Sequence, residues 1–301
     1  MNAYSDPVRR DILFIGPATR DVNIDYTGAE DHNIGGAVYF GQFAARTAGA
    51  RVAAAVKMSP DDSDIVSAYR LPEEDFFLLP SDHTTLMQNT YFTPDREQRK
   101  ARCLAQSDAI FPAQLPNIPW KIANLSGLLY GDYPDELFPY LKERGKIAAD
   151  AQAFLRHNED GILVFHDWGQ KHALLPYLDF LKTDAAEAKI LTGTDDRREA
   201  ARILHEWGAE EVVISHHSEI LAYDGSAFSA VPLRARNLSG RTGRGDTIFG
   251  TYLARRALGD SLEAALLFAA GAVSLKMETP GPLHGDEETV RRYLRLRYPE
   301  W

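Results

Sequence analysis

Ser239-Gly240-Arg241-Thr242-Gly243-Arg244-Gly245-Asp246-Thr247-Ile248-Phe249-Gly250 lies late in a chain of 301 residues. Its glycines free the backbone to turn sharply just before an amphipathic segment that carries Ile248, Phe249, Tyr252, Leu253 and Leu258. A glycine-rich turn that enters a helix aims unpaired N–H groups at one point, and the helix dipole adds positive potential there. The turn is therefore an expected anion site. Asp246 cannot itself hold a phosphate. Two readings account for its place in the first turn: helix capping, or a base that takes a proton from a hydroxyl attacking the held phosphate. The motif alone weighs the two evenly.

The rest of the chain is of ordinary soluble, globular composition, 45% hydrophobic and 25% charged, and long enough for a large core. Its 43 acidic and 33 basic residues give a net charge of −10, which argues against nucleic acid or an anionic membrane as partner. The single cysteine, Cys103, excludes an internal disulfide and a cysteine-rich zinc site. It reads as a strand residue in a reducing compartment. No secretory signal is visible at Met1–Arg10, and the longest apolar run, Ala264 to Leu275, is too short to span a bilayer. A cytoplasmic location is expected.

Apolar strands alternate with helical patterns along the chain. Strands are expected at Asp11–Gly16, Arg51–Met58, Lys121–Leu125, Lys146–Asp150, Ile162–Phe165 and Glu211–Ser215. Helices are expected at Gly36–Ala48, Asp135–Arg144, Asp184–Leu191 and Asp195–Trp207, then at Asp246–Leu258, Ser261–Met277 and Asp286–Arg297. Such alternation implies an α/β fold, a mostly parallel sheet covered by helices on both faces. Thr84–Phe92 and Gln98–Ile110 break the pattern: they read as a hairpin turning at Thr93-Pro94-Asp95-Arg96. That hairpin is either a lid over a cleft or an edge of the main sheet.

Neither Gly-x-x-x-x-Gly-Lys-Ser/Thr nor Gly-x-Gly-x-x-Gly is present after the first strand. Ligands of open α/β sheets sit beyond the carboxyl ends of strands. Asp21 follows the first strand there, and Asp150 with Gln152 follows Lys146–Ala149.

Thr242-Gly243-x-Gly245-Asp246 resembles the second signature of the ribokinase (pfkB-type) carbohydrate kinases, and other segments match in order from Ile12 to about Gly281. Gly16-x-x-Thr19-x-Asp21 sits where that family places polar contacts to substrate hydroxyls. Gly35-Gly36-Ala37 is similar to the first signature, where bare backbone approaches the sugar. Asp150-x-Gln152-x-x-x-Arg156 resembles a central Asp-x-Asn-x-x-x-Arg pattern, and Asp184-x-x-Glu187 the Asn-x-x-Glu position that influences Mg²⁺ and phosphate. Within the family, Gly35–Phe40, Thr84-Thr85 through Tyr91-Phe92, Ala105–Ile110 and Ala149–Arg156 look most like the myo-inositol kinases.

The resemblance implies one ribokinase-like domain over residues 1–301, with a small, reduced β lid built from the hairpin at 84–110 and the short segment 22–34. It implies transfer of the γ-phosphoryl group of ATP to a hydroxyl of a small neutral polyol or sugar. Asp246 would be the base. Gly243, Arg244 and Gly245 would form the anion hole, and Thr242 and Ser215 would lie on the nucleotide side. Thr19, Asp21, Gly35, Gly36, Asp150 and Gln152 would face the acceptor. Asp184 and Glu187 would act on Mg²⁺ through water, since that ion sheds its waters reluctantly.

Departures from the family pattern are informative. The acidic residue that relatives carry six positions before the base, where it helps organise a monovalent-cation site, is Gly240 here, so activation by potassium is not expected. Arg244 replaces an alanine; it either clamps a phosphate oxygen or, the commoner outcome, points to solvent. Ser215-His216-His217-Ser218-Glu219-Ile220 stands where relatives have Thr-x-Gly-x-x-Gly, which brings nucleotide binding into question. The basic cluster Arg99, Lys100 and Arg102 cannot all face the cleft from one strand. Two rivals follow: a nucleoside kinase using Tyr39, Tyr91 or Phe92 as a platform for the base, and a non-catalytic sugar-binding regulator. Oligomeric state stays open, a homodimer included.

Overall fold

The computed structural model describes residues 9–93 and 99–301, with the side chain of Arg99 outside that set. The expected turn residues Pro94, Asp95 and Arg96 also lie outside it. Among the described residues, fifteen strands form two sheets. They are β1 (Arg10–Pro17), β2 (Thr19–Ile24), β3 (Glu30–Gly35), β4 (Val52–Met58), β5 (Phe76–Pro80), β6 (Thr85–Tyr91), β7 (Arg99–Ala105), β8 (Trp120–Leu125), β9 (Lys146–Asp150), β10 (Arg156–Glu159), β11 (Ile162–Phe165), β12 (Phe180–Asp184), β13 (Glu211–Ser215), β14 (Glu219–Tyr223) and β15 (Phe228–Pro232). The helices are α1 (Ala37–Thr47), α2 (Ser63–Tyr69), α3 (Leu137–Lys142), α4 (Gln152–Leu155), α5 (Lys171–Leu174), α6 (Ala185–Thr192), α7 (Arg197–Glu206), α8 (Arg244–Ala257), α9 (Leu262–Met277) and α10 (Glu287–Arg297).

The larger sheet has nine strands in the order β15-β14-β13-β12-β9-β8-β1-β4-β5. From β13 to β5 all pairs are parallel; β14 and β15 close one edge as antiparallel strands. The run Ile12-Leu13-Phe14-Ile15 is wholly buried because both faces of this sheet are covered. Strand alternation divides it: Ile12 and Phe14 join the layer of α1, α8, α9 and α10, while Leu13 and Ile15 join the layer of α3, α6 and α7. The expected α/β sandwich is the one observed.

The smaller sheet departs from expectation in size. It has six strands, β10-β11-β7-β6-β2-β3, instead of one hairpin with a short extra segment. Ile162–Phe165, expected in the main sheet, pairs antiparallel with Arg156–Glu159 and touches β7. Four residues suffice for a strand in either sheet, and their apolar character does not say which edge they extend. The sequence reading also left β5, β12, β14 and β15 unassigned.

Candidate active site

Gly243 takes φ 77°, a left-handed conformation that disfavours a side chain, and serves as the N-cap of α8. A Cβ there would overlap the ring of Phe40 on α1. Asp246 is the third residue of α8, and no side-chain capping bond is made at that helix start. The N-cap, Gly243, has no side chain to cap with, and Asp246 stands as the acidic residue of the first turn. Among the described residues, the N–H groups of Gly245 and Asp246 also meet no backbone acceptor.

These groups open on a cavity of about 710 Å³. It lies where the strand order predicts, beyond the carboxyl ends of β9, β12 and β13, which finish in Asp150, Asp184 and Ser215. The lining brings together Asp150, Gln152, Asp184, Glu187, Ser215, Thr242, Gly243, Arg244, Gly245 and Asp246, all expected at the site. Arg156, Arg241, Lys182 and Tyr91 join them.

Lys182 was not expected. The register sets Lys182 of β12 opposite Asp150 of β9, and the two side chains form an ion pair at 2.8 Å. Both residues are at most 5% exposed. Burial opposes the charge of Lys182, but the carboxylates of Asp150 and Glu187 hold its affinity for a proton above the usual lysine range. The same ammonium lies beside Gly245: a Cβ at that glycine would come within 2.9 Å of Nζ. The second oxygen of Asp150 accepts from the Gln152 N–H at 3.2 Å, and Gln152 Oε1 accepts from Arg156 at 2.5 Å. A lysine inside the apolar run Phe180-Leu181-Lys182-Thr183 is the one signal that could have drawn attention to it.

Burial, with the neighbouring Asp150 charge, pushes the Asp246 carboxyl up to about 6, against the opposing pull of Lys182, Arg156 and Lys276. Such a group is ionised at neutral pH, yet far more basic than an ordinary aspartate. Asp184 and Glu187 make a reciprocal capping box at the start of α6, with N–H to carboxylate distances of 2.8 Å in both directions. Burial raises the proton affinity of Glu187. Among the described residues no cluster of three His, Cys, Asp or Glu side chains could hold a metal directly.

Thr19, Asp21, Gly35 and Gly36 do not line this cavity. They form their own cluster where β2 and β3 meet the start of α1. Thr19 donates to Asp21 at 2.8 Å, and a Cβ on Gly35 would crowd both side chains. Gly36 has φ 102° and caps α1 through its carbonyl. One helical turn on, Phe40 packs against Gly243, so the cluster sits about 6 Å along α1 from the anion turn.

Other positions singled out by the sequence take the following places. Arg244 is half-buried and lines the cavity rather than pointing to solvent; burial and Arg241 lower its proton affinity, and Asp184 opposes them. Ile220 is a fully buried strand residue, so the glycine missing there bears on the core and not on a ligand. His216–Ser218 instead close a tight hairpin, with His216 N–H donating to Glu219 O at 2.9 Å and its ring bonded to Ser218 Oγ at 2.8 Å. Lys100 and Arg102 of the basic cluster stay out of the cavity lining. Cys103 is a buried strand residue, as expected; burial pushes its thiol up to about 11, far from a nucleophile.

The model of the pfkB family carbohydrate kinases matches residues 91–289. A solved pyrophosphate-dependent kinase in the ribokinase family, complexed with a pyrophosphate analogue and myo-inositol, is 33% identical. That match covers 93% of this chain and 99% of the other, with a TM-score of 0.84. Arabidopsis thaliana ribokinase, complexed with ribose and ATP, shares the fold at a TM-score of 0.75 and 17% identity, covering 96% of this chain and 99% of the other. The cytidine kinase of Thermococcus kodakarensis is 44% identical over 80 residues, 26% of this chain and 29% of that protein. The chain spans less than half the length of the curated relatives it matches. No described helix is long and apolar enough to cross a membrane. With a glycine turn that carries Asp246 at the cavity and a family match over residues 91–289, this chain belongs to the pfkB family of carbohydrate kinases.

Proposed function

We propose that the chain transfers a phosphoryl group from inorganic pyrophosphate to a hydroxyl of a small neutral polyol, with myo-inositol as the favoured acceptor. The observation that carries this reading is the carboxyl of Asp246, which opens beside the Gly243–Gly245 turn in a cavity shared with Asp150, Arg241 and Arg244. The acceptor oxygen attacks the terminal phosphorus as the bridging P–O bond breaks. Its proton passes to Asp246, and orthophosphate leaves. A carboxylate of this basicity cannot ionise an alcohol beforehand, so the proton moves late, as the new bond forms. N–H groups of the turn and Lys182 would offset charge on the transferring group.

The sequence resemblance pointed to ATP as donor. The choice of pyrophosphate instead is supported by two features. The lining is charged and polar, with Arg241, Arg244, Ser215, Ser239 and Thr242 on the side of the turn and the carboxylates of Asp150, Asp184, Glu187 and Asp246 also present, and its apolar members are only Tyr91, Leu238 and Pro280. A compact polyanion suits that chemistry better than a purine. The 33% identical relative was also solved with a pyrophosphate analogue. Asp184 and Glu187 suit a hydrated Mg²⁺ held through water, since part of each carboxylate is spent on the capping box. When bound, that ion would neutralise charge on the donor phosphates.

A nucleoside acceptor is the second reading, favoured by the cytidine kinase match. Against it, Tyr39 is packed edge-on among Phe40, Phe43 and Tyr69, and Phe92 points out to solvent. Only Tyr91 of the three candidate platforms meets the cavity. The test is a matrix of donors (pyrophosphate, ATP) against acceptors (myo-inositol, other polyols, sugars, nucleosides) with Mg²⁺, read as phosphomonoester formed. Turnover with pyrophosphate and a polyol is expected. Turnover only with ATP, or only with a nucleoside, overturns the corresponding half of the proposal.

A further inference from the structure

Lys276, in the last turn of α9, is 2% exposed and has no carboxylate within ion-pair distance among the described residues. A lysine is almost never so buried unless its charge is compensated. Here the compensation comes from backbone. Its ammonium donates to the carbonyl of Gly240 at 2.5 Å and to the carbonyl of Thr242, and it lies 5.4 Å from the centre of the Phe40 ring. Alternate carbonyls of one turn thus converge on a single positive charge, as carbonyls do around a bare alkali cation. Without a cation, these two oxygens would face each other with no donor between them.

We propose that the Lys276 ammonium is an internal, tethered cation that fixes the Gly240–Gly243 turn in its anion-receiving form, making it a positioning residue for phosphoryl transfer. In a planar trans peptide the carbonyl and the next N–H point in opposite directions. Pinning the Thr242 carbonyl onto Lys276 therefore aims the Gly243 N–H away from the ammonium, on the side where Gly243 lines the cavity. The turn is clamped from the same quarter by Gly240 N–H to Met277 O and Ser239 Oγ to Glu278 O, both at 2.8 Å. A Cβ on Gly240 would overlap the Thr279 carbonyl, so the residue that approaches the end of α9 has to be glycine. The glycine that replaces an acidic side chain at 240 and the lysine at 276 belong together: one vacates space, the other supplies the charge. Burial lowers the proton affinity of Lys276 to about 8, which leaves its ammonium charged at neutral pH, and Lys276 and Asp246 each favour the ionised form of the other.

This inference rests on the kinase reading above, and the experiment separates the two. Wild-type turnover is measured in potassium, sodium and tetramethylammonium chlorides at equal ionic strength; then Lys276→Ala and Lys276→Met are assayed with and without added potassium, ammonium or methylammonium. The wild type is expected to be indifferent to the cation. The variants are expected to lose about 100-fold in kcat, the scale of a displaced catalytic turn. Lys276→Ala should recover part of that rate with a small cation that fits the vacated site, while Lys276→Met, whose side chain fills it, should not. A purely structural lysine would give a loss that no added cation moves. A wild type that requires potassium, or a well-folded Lys276→Ala with unchanged kcat, overturns the inference. The wild-type arm does not depend on the variants folding. A wild type without turnover on any donor and acceptor would instead count against the kinase reading.

Discussion

Asp246 is the residue on which the chemistry depends, and its environment gives two measurable consequences. Replacement by Asn should lower kcat by about 10²- to 10⁴-fold while leaving acceptor affinity close to wild type, by calorimetry against kinetics. Its carboxyl is raised to about 6, so kcat/KM should fall as pH drops through about 6, and that limb should be missing from the residual activity of Asp246→Asn. The linkage runs in one direction: a carboxyl whose folded value lies above its unfolded value favours folding while protonated and loses that contribution as pH rises through about 6. Asp246→Asn should therefore melt a few degrees higher than wild type at pH 8. Lys182→Met leaves Asp150 buried without its partner and should destabilise the fold by about 3–5 kcal/mol in chemical denaturation. Asp246 was legible in the sequence because a glycine turn and its aspartate are contiguous. Lys182 and Lys276 were not, because each meets its partners across 32 and 34 to 36 residues respectively, and a lone lysine in an apolar run does not announce what it faces.

At the level of elements, the anion turn is held in place by how α8 crosses α1. A Cβ on Gly250 would overlap the Gly41 carbonyl, and one on Gly41 would come within 2.8 Å of Phe14. Gly250→Ala should gain at most about 1 kcal/mol of helix propensity and lose about 1–3 kcal/mol to overpacking. A net loss of stability is expected, with a larger loss in kcat than in acceptor affinity because α8 carries Asp246. A gain in melting temperature with unchanged turnover would show that the close crossing is dispensable. Helices were well signalled, since Ser261 and Asp286 do cap α9 and α10 as their types suggest. Short strands were not: Ile162–Phe165 has the apolar character of either sheet, and only its pairing with Arg156–Glu159 assigns it to the smaller one. The second sheet was underestimated for the same reason, since four of its six strands, β2, β3, β10 and β11, are polar or only four residues long.

For the molecule as a whole, a chain with net charge −10 gathers Arg241, Arg244, Arg156 and Lys182 at one cavity, balanced there by Asp150, Asp184, Glu187 and Asp246. Affinity for a polyanionic donor there should weaken as salt rises, whereas affinity for a neutral polyol should not; KM for each substrate across an ionic-strength series reads this directly. A donor present at a hundred times its Kd should stabilise the fold by about 2.7 kcal/mol. The overall architecture was readable because βα alternation and five ordered motifs agree with one another. The separation of the Thr19–Asp21–Gly35–Gly36 cluster from the main cavity was not, since motif order carries no distances. Phosphorus NMR of pyrophosphate, Mg²⁺ and myo-inositol, with wild type and Asp246→Asn in parallel, goes straight to the role of that carboxylate. Wild type should convert each pyrophosphate into one orthophosphate and one inositol monophosphate, while the variant leaves the mixture essentially unchanged; equal ester formation by the variant would contradict the assignment of Asp246 as the base.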